Sequence, residues 1–248
     1  MTVQQTTSPR DRLGAALVHV YTASGAVIAF LMVLAAFQGD AIGALWLGLA
    51  ALIIDSTDGT LARRFRVSET IPWFDGRRLD DIVDYLTYVF APVLLLWSGG
   101  YLPAGLTGIC IAAMPLLASS YQFCRVDAKT DDHFFLGFPS YWNVVAFYVI
   151  VFQLAPATVS AILTLCALLV FVPIRYLYPS RTVAFRPLTL LLTAIWLVCY
   201  ALILRQQPEP APVLTLFSLL YLVYYVGLSL YLTLRARDAD EPALGEPA

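Results

Sequence analysis

Charge is scarce in this chain. Of its 248 residues only 13% are charged, whereas 60% are hydrophobic, and the mean hydropathy is +0.75. So little charge excludes an ordinary soluble domain, which must present a polar surface to water. The net charge of −2 and a pI near 5.6 argue against nucleic acid as a partner, because that calls for a clustered basic surface. Cysteine is sparse as well: Cys110, Cys124, Cys166 and Cys199 lie in or at the ends of apolar runs without metal-ligand spacing. No disulfide framework is implied. There is no internal repeat of the kind that builds a transporter from two inverted halves. The first apolar run is too long for a signal-peptide core and reads as a retained span.

What the chain does have is a series of apolar runs of bilayer length. Residues 1–12 form a polar segment, placed in the cytoplasm, in which Ser8-Pro9-Arg10-Asp11 has the pattern of a capped helix start. Spans are predicted over 13–37, 41–62, 79–98, 104–124, 138–154, 157–178, 186–204 and 211–234, separated by Gly, Pro or charged breaks. The expected fold is therefore all-α, a polytopic helical bundle of about eight transmembrane helices within one domain, 13–236. The acidic, proline-containing tail 237–248 is predicted to be disordered. With the N-terminus in the cytoplasm, 14 of the 15 basic residues fall on that side, leaving Arg205 outside. That bias favours eight crossings with both termini cytoplasmic.

Chemistry concentrates in residues 55–84, DSTDGTLARRFRVSETIPWFDGRRLDDIVD. Asp55 and Asp58 are three apart and Asp80 and Asp84 four apart, so on two helices each pair projects from one face. Four carboxylates at a membrane edge are costly unless compensated, and hard divalent cations with oxygen ligands are the usual compensation. Gly59 and Ala62 leave the helix face beside Asp58 nearly bare, so a flat ligand can lie on the backbone. Arg63, one turn on, offers a planar fork of donors suited to phosphate. Gly76, Asp80, Asp84 and Tyr88 form a second stripe at intervals of four. Asp81 points away from that stripe, and Asp75 reads as a solvated charge at the end of the preceding loop.

The pattern Asp55-x2-Asp58-Gly59-x2-Ala62-Arg63, then Gly76-x3-Asp80-x3-Asp84, resembles the signature of the CDP-alcohol phosphotransferases, integral membrane enzymes of phospholipid synthesis. Twelve residues separate Arg63 from Gly76, longer than the family's commoner spacer. That spacing and the segment DAKTDDHFFLGFPSYWN resemble the bacterial phosphatidylcholine-synthase branch of the family. The resemblance implies transfer of the phosphatidyl group from CDP-diacylglycerol to choline, with release of CMP. It implies Asp55, Asp58, Asp80 and Asp84 as ligands of divalent metal, manganese or magnesium, as two ions. Asp84 would also be the general base. Thr22, Gly59, Ala62, Arg63 and Gly76 would receive CDP-diacylglycerol. It further implies a homodimer in the bacterial inner membrane, among membrane lipids, and the charge bias places its site at the cytoplasmic face.

Choline has no hydrogen-bond donor on nitrogen, so its pocket is expected to use aromatic faces. Tyr85 is adjacent to Asp84 and Tyr88 lies a turn beyond it, and the resemblance adds Tyr141, Trp142 and Asn143 as candidates without roles. His19 reads as an interfacial histidine. Arg64, Arg66, Arg77 and Arg78 read as interfacial anchors on anionic headgroups, and Arg175 and Arg181 serve equally as topological anchors or phosphate contacts. Two other readings stand beside choline transfer. The acceptor can be serine, inositol or glycerol phosphate, or the aspartates can line the path of a cation or choline transporter.

Overall fold

The structure, a computed structural model, describes residues 8–240. Its elements are helices α1 (Pro9–Phe37), α2 (Ala41–Arg64), α3 (Val67–Thr70), α4 (Gly76–Asp84), a π-helical segment Tyr85–Phe90, α5 (Ala91–Ser98), α6 (Gly105–Cys124), α7 (Trp142–Val151), α8 (Pro156–Leu169), α9 (Arg186–Arg205) and α10 (Pro212–Asp240). Two three-residue strands, β1 (Phe134–Leu136) and β2 (Arg175–Leu177), complete the set. The chain divides into two compact units, Met1–Gly99 and Gly100–Ala248. Residues 1–7, within the segment assigned to the cytoplasm, and 241–248, within the predicted tail, lie outside the described residues; Arg237–Asp240 belong to the last turn of α10.

The first unit is built from α1 to α5. Ser8 and Asp11 form the reciprocal capping box that starts α1, with Pro9 in the first turn, where no N–H is needed. Along α1 the buried residues are mostly small, Ala15, Thr22, Gly25, Ala29 and Ala36, whereas Leu13, Leu17, Val20, Val27 and Phe30 are exposed. Small residues inside and large apolar ones outside is the arrangement a helix takes against lipid. Asp40 caps α2 through the N–H of Gly43 at 2.7 Å, and Asp75 caps α4 through the N–H groups of Arg77 and Arg78. The loop between α2 and α4 is pinned by Val67 and Ile71, which pack on Ala15 and Val18 of α1.

From Gly76 to Ser98 the chain is helical throughout, but it widens to a π turn over Tyr85–Phe90. Pro92 supplies the cause: it lacks an N–H, and its ring would press on the carbonyl of Tyr88 in a regular α-helix.

The second unit holds α6 to α10 and the strands. β1 and β2 pair antiparallel, Phe134 with Leu177, Phe135 with Tyr176 and Leu136 with Arg175. The other edge of β2 is met by one stripe of α10: the Ser229 hydroxyl accepts from the Leu177 N–H at 3.1 Å, Thr233 from the Arg175 N–H at 2.9 Å, and Tyr225 donates to the Leu177 carbonyl at 2.9 Å. Three hydroxyls at spacing four thus satisfy a strand edge that would otherwise be open. In the connection after α6, Arg125 and Asp127 form an ion pair, which holds the exposed Asp127 carboxyl below its ordinary range.

Among the described residues five helices, α1, α2, α6, α9 and α10, are long and apolar enough to cross a membrane. The eight expected spans differ at three places. The third carries the π turn. The fifth is helical only over the ten residues of α7, because Ser140 before it and Gln153 after it take positive φ. The sixth ends at Leu169 instead of Tyr178: the N–H of Phe138 takes the Leu169 carbonyl at 3.1 Å, the N–H of Gly137 takes that of Ile174 at 2.9 Å, and residues 175–177 become β2.

Candidate active site

Within the first unit, α1, α2 and α4 converge on a recess lined by Thr22, Gly25, Asp55, Asp58, Asp80, Asp84 and Thr87. The helices meet closely here. A methyl group on Gly25 would lie 2.5 Å from Val83 Cγ1, so α1 approaches α4 only because residue 25 has no side chain.

Asp55 of α2 and Asp80 and Asp84 of α4 each offer a carboxylate oxygen, and these atoms all lie within 4.8 Å of one another. Each of the three is half-buried. Like charges so close disfavour one another's ionised forms, and cations with oxygen coordination remove that penalty. The donor set is therefore chemically fitted to a hard divalent ion. Asp58 lines the same recess but stands outside this group of three. It is 7% exposed and accepts a 2.8 Å hydrogen bond from the equally buried Thr22 hydroxyl. On the other side, the Tyr88 hydroxyl donates to Asp55 Oδ2 at 2.7 Å. Each carboxylate of α2 thus receives an O–H from a different helical segment, an arrangement that fixes its orientation.

These two bonds give Thr22 and Tyr88 work beyond the contacts expected of them. Thr22, expected to touch nucleotide, has its proton directed at Asp58, and Tyr88, expected at a choline pocket, is buried with its hydroxyl on Asp55. The four-residue stripe ending at Tyr88 is visible in the sequence, but the tyrosine's partner across the helices is not.

Gly59 faces open space apart from Arg63, whose Nη1 would lie 3.4 Å from an added methyl. The Arg63 guanidinium is exposed and donates to Thr60 Oγ1 at 3.0 Å. Ala62 packs against the cluster formed by Ala15, Val18, Val67 and Ile71. At Gly76 an added methyl would sit 2.8 Å from His19 Cε1, and the His19 ring lies 4.4 Å from that of Phe74. Gly76 is small where His19 needs the room. Tyr85 is half-buried in the first position of the π turn, immediately after Asp84. Asp75 is a helix cap, a role its position before the Gly-Arg-Arg start of α4 could have signalled.

The remaining candidates belong to the second unit. Trp142 is 1% exposed, donates from Nε1 to Ser119 Oγ at 2.7 Å and packs 5.1 Å from Phe138. Tyr141 lies 6.3 Å from Phe135 and 6.1 Å from Tyr225, and the Asn143 Oδ1 accepts from the N–H of Val144. Around them Phe134, Phe138, Tyr176 and Tyr225 build an aromatic cluster whose members are too far apart in the chain for spacing to reveal. Burial there pushes the Tyr176 phenol up to about 12. Arg175 is engaged by Asp132 at 2.9 Å.

The sequence profile described as CDP-alcohol phosphatidyltransferase matches residues 17–176, which include every residue of the recess. The phosphatidylcholine synthase of Pseudomonas aeruginosa is 38% identical over 236 residues, covering 95% of this chain and 98% of the relative. That of Legionella pneumophila is 40% identical over 223 residues, covering 87% of each chain, and that of Borreliella burgdorferi 36% over 225 residues, covering 90% and 95%.

Proposed function

The chain belongs to the CDP-alcohol phosphatidyltransferase family, and from that premise we propose that it is a phosphatidylcholine synthase, transferring the phosphatidyl group of CDP-diacylglycerol to choline. The observation that carries the reading is the meeting of Asp55, Asp80 and Asp84 within 4.8 Å at the motif positions of a membrane-embedded bundle. In the reaction the choline oxygen forms a bond to the phosphorus that bears the diacylglyceryl ester, the bond from that phosphorus to the CMP oxygen breaks, and CMP leaves with the electron pair. The hydroxyl proton passes to a carboxylate oxygen of Asp84. A carboxylate is a modest base, so positioning must supply much of the rate.

Asp55, Asp80 and Asp84, with Asp58 beside them, would hold divalent manganese or magnesium, as two ions. When bound, such ions supply positive charge to the phosphate oxygens and to the departing CMP. Thr22 and Tyr88 hold the α2 carboxylates in place. Gly59 and Arg63 present the open face and the phosphate donor for CDP-diacylglycerol, with Ala62 and Gly76 at its margins. For choline the candidates of the first unit are the aromatic Tyr85, adjacent to Asp84, and Tyr88, a turn beyond it, and those of the second unit are Tyr141, Trp142 and Asn143.

For topology we propose eight crossings: the five long helices, the continuous helical run Gly76–Ser98, and α7 and α8. Both termini then lie in the cytoplasm of a bacterial inner membrane, with the carboxylates opening to the same side, and the enzyme works as a homodimer.

The test is CMP release by the purified protein with CDP-diacylglycerol and manganese, with choline, serine, inositol, glycerol 3-phosphate or no alcohol added in parallel. Release and phosphatidylcholine formation with choline alone are expected. Release with another alcohol keeps the chemistry and removes choline, and failure to release CMP with any of them favours a transporter.

A further inference from the structure

The loop joining α2 to α4 and the helix turns flanking it carry Arg63, Arg64, Arg66, Arg77 and Arg78 against two acids, Glu69 and Asp75. Asp75 spends its carboxylate on the backbone N–H groups that open α4. All five arginines are exposed, and among the described residues none of them forms an ion pair. Between them Trp73 is 82% exposed, next to the exposed Phe74 and not far from exposed Phe65. The segment is nonetheless fixed in place: Val67 and Ile71 sit on α1, Thr70 bonds the Arg66 carbonyl at 2.9 Å, and His19 packs on Phe74. A segment at the ends of membrane helices, anchored through Val67, Ile71 and Phe74 while its arginines and Trp73 stay exposed, has the composition that the headgroup layer of an anionic bilayer accepts.

We propose that Arg64, Arg66, Arg77 and Arg78, with Trp73 between them, form a docking surface for the anionic phospholipids of the surrounding bilayer, and that the charge of that bilayer sets the rate of the enzyme. The inference rests on the phosphatidyltransfer reading above. The link to the site is short. Arg64 lies six residues beyond Asp58 on α2, about 9 Å along the axis, and Arg78 lies two residues before Asp80 on α4. Lipid phosphates bridging the end of α2 and the start of α4 hold the two carboxylate-bearing segments at a fixed spacing. A consequence follows from the reaction itself. Each turnover consumes an anionic lipid, CDP-diacylglycerol, and leaves a zwitterionic one, so product accumulation dilutes the charge that this surface reads. The enzyme slows as its membrane becomes neutral.

The test uses the full chain in nanodiscs of phosphatidylcholine containing 0, 15 or 30 mol% phosphatidylglycerol, a series chosen to span low to high surface charge, roughly the range over which basic segments bind. CDP-diacylglycerol is held at constant mole fraction and manganese is saturating, which removes the trivial enrichment of cations at a charged surface. Arg63 is left intact because the reading above assigns it to the substrate phosphate. The native chain is expected to speed up roughly fivefold across the series, the equivalent of about one arginine's attraction to the surface. The variant R64Q/R66Q/R77Q/R78Q is expected to match the native rate without phosphatidylglycerol and to stay flat as it is added.

A flat native response, or a variant that still responds, overturns the proposal. A variant whose KM for CDP-diacylglycerol rises equally in every disc assigns the arginines to the substrate and also overturns it. Absence of CMP release with choline in any disc instead refutes the phosphatidyltransfer reading. An independent measurement needs no turnover and no charge variant: the fluorescence that W73F removes is expected to be quenched more by brominated phosphatidylglycerol than by brominated phosphatidylcholine at equal mole fraction. Equal quenching removes the docking surface.

Discussion

Asp58 and Asp84 are both motif aspartates, yet their surroundings assign them different work. Asp58 is buried and held by Thr22, so its oxygens are oriented but poorly placed to exchange protons with an incoming alcohol. Asp84 is half-buried beside Tyr85, at the junction where the α-helix gives way to the π turn. An Asp84→Asn variant keeps an oxygen ligand but loses the base. It is expected to lower kcat by roughly 10²–10⁴-fold in the CMP assay while CDP-diacylglycerol binding, measured by direct titration, stays nearly unchanged. Normal turnover would take the proton-accepting role away from Asp84. At Gly76 the neighbour within the protein is the ring of His19. Gly76→Ala drives a methyl to 2.8 Å from the imidazole and is expected to cost about 1–3 kcal/mol of stability. His19→Ala opens that space, so the double variant should recover part of the lost thermal midpoint; no recovery would mean that substitution at Gly76 acts through something other than this contact.

The elements divide into those written locally and those written across the chain. The start of α1 is legible because Ser8, Pro9 and Asp11 are adjacent and complete one cap. The ends of α2 and the pairs Asp55/Asp58 and Asp80/Asp84 are legible for the same reason, since a helix repeats its face every three to four residues. The break after Leu169 is not, because its partners are Gly137 and Phe138, more than thirty residues earlier. Nor is β2, whose outer edge is satisfied by hydroxyls of α10. An apolar run containing a strand reads like the end of a helix until the residues that pair with it are known. Gly137 makes this concrete: its φ is +86°, and an added methyl would fall 2.2 Å from the Val170 carbonyl oxygen. Gly137→Ala is expected to destabilise the second unit by at least about 1–3 kcal/mol, visible as a lowered thermal midpoint in detergent. An unchanged midpoint would show that the 137–138 backbone is not what terminates α8.

At the scale of the whole molecule, the pairing of β1 with β2 constrains the path through the membrane. Phe134–Leu136 and Arg175–Leu177 must lie on the same side, so α7 and α8 between them either both cross or both turn back. The charge bias cannot separate these cases, since 125–141 and 170–185 stay on one side in each. Length alone leans towards turning back, because ten and fourteen residues rise only about 15 and 21 Å against a hydrocarbon core of about 30 Å. Composition leans the other way: α7 and α8 carry no charged residue, and the flanking Gln153 and Pro156 suit an interface. Local thinning of the bilayer or tilting neighbours can accommodate short helices at modest cost. Gln153 is the informative position, at the exposed tip between the two helices. With the native cysteines replaced, Gln153→Cys in intact cells is expected to react with a membrane-impermeant maleimide, as two crossings require. Protection in intact cells and in inverted vesicles alike would make the pair a re-entrant hairpin and reduce the crossings from eight to six, leaving both termini on the cytoplasmic side.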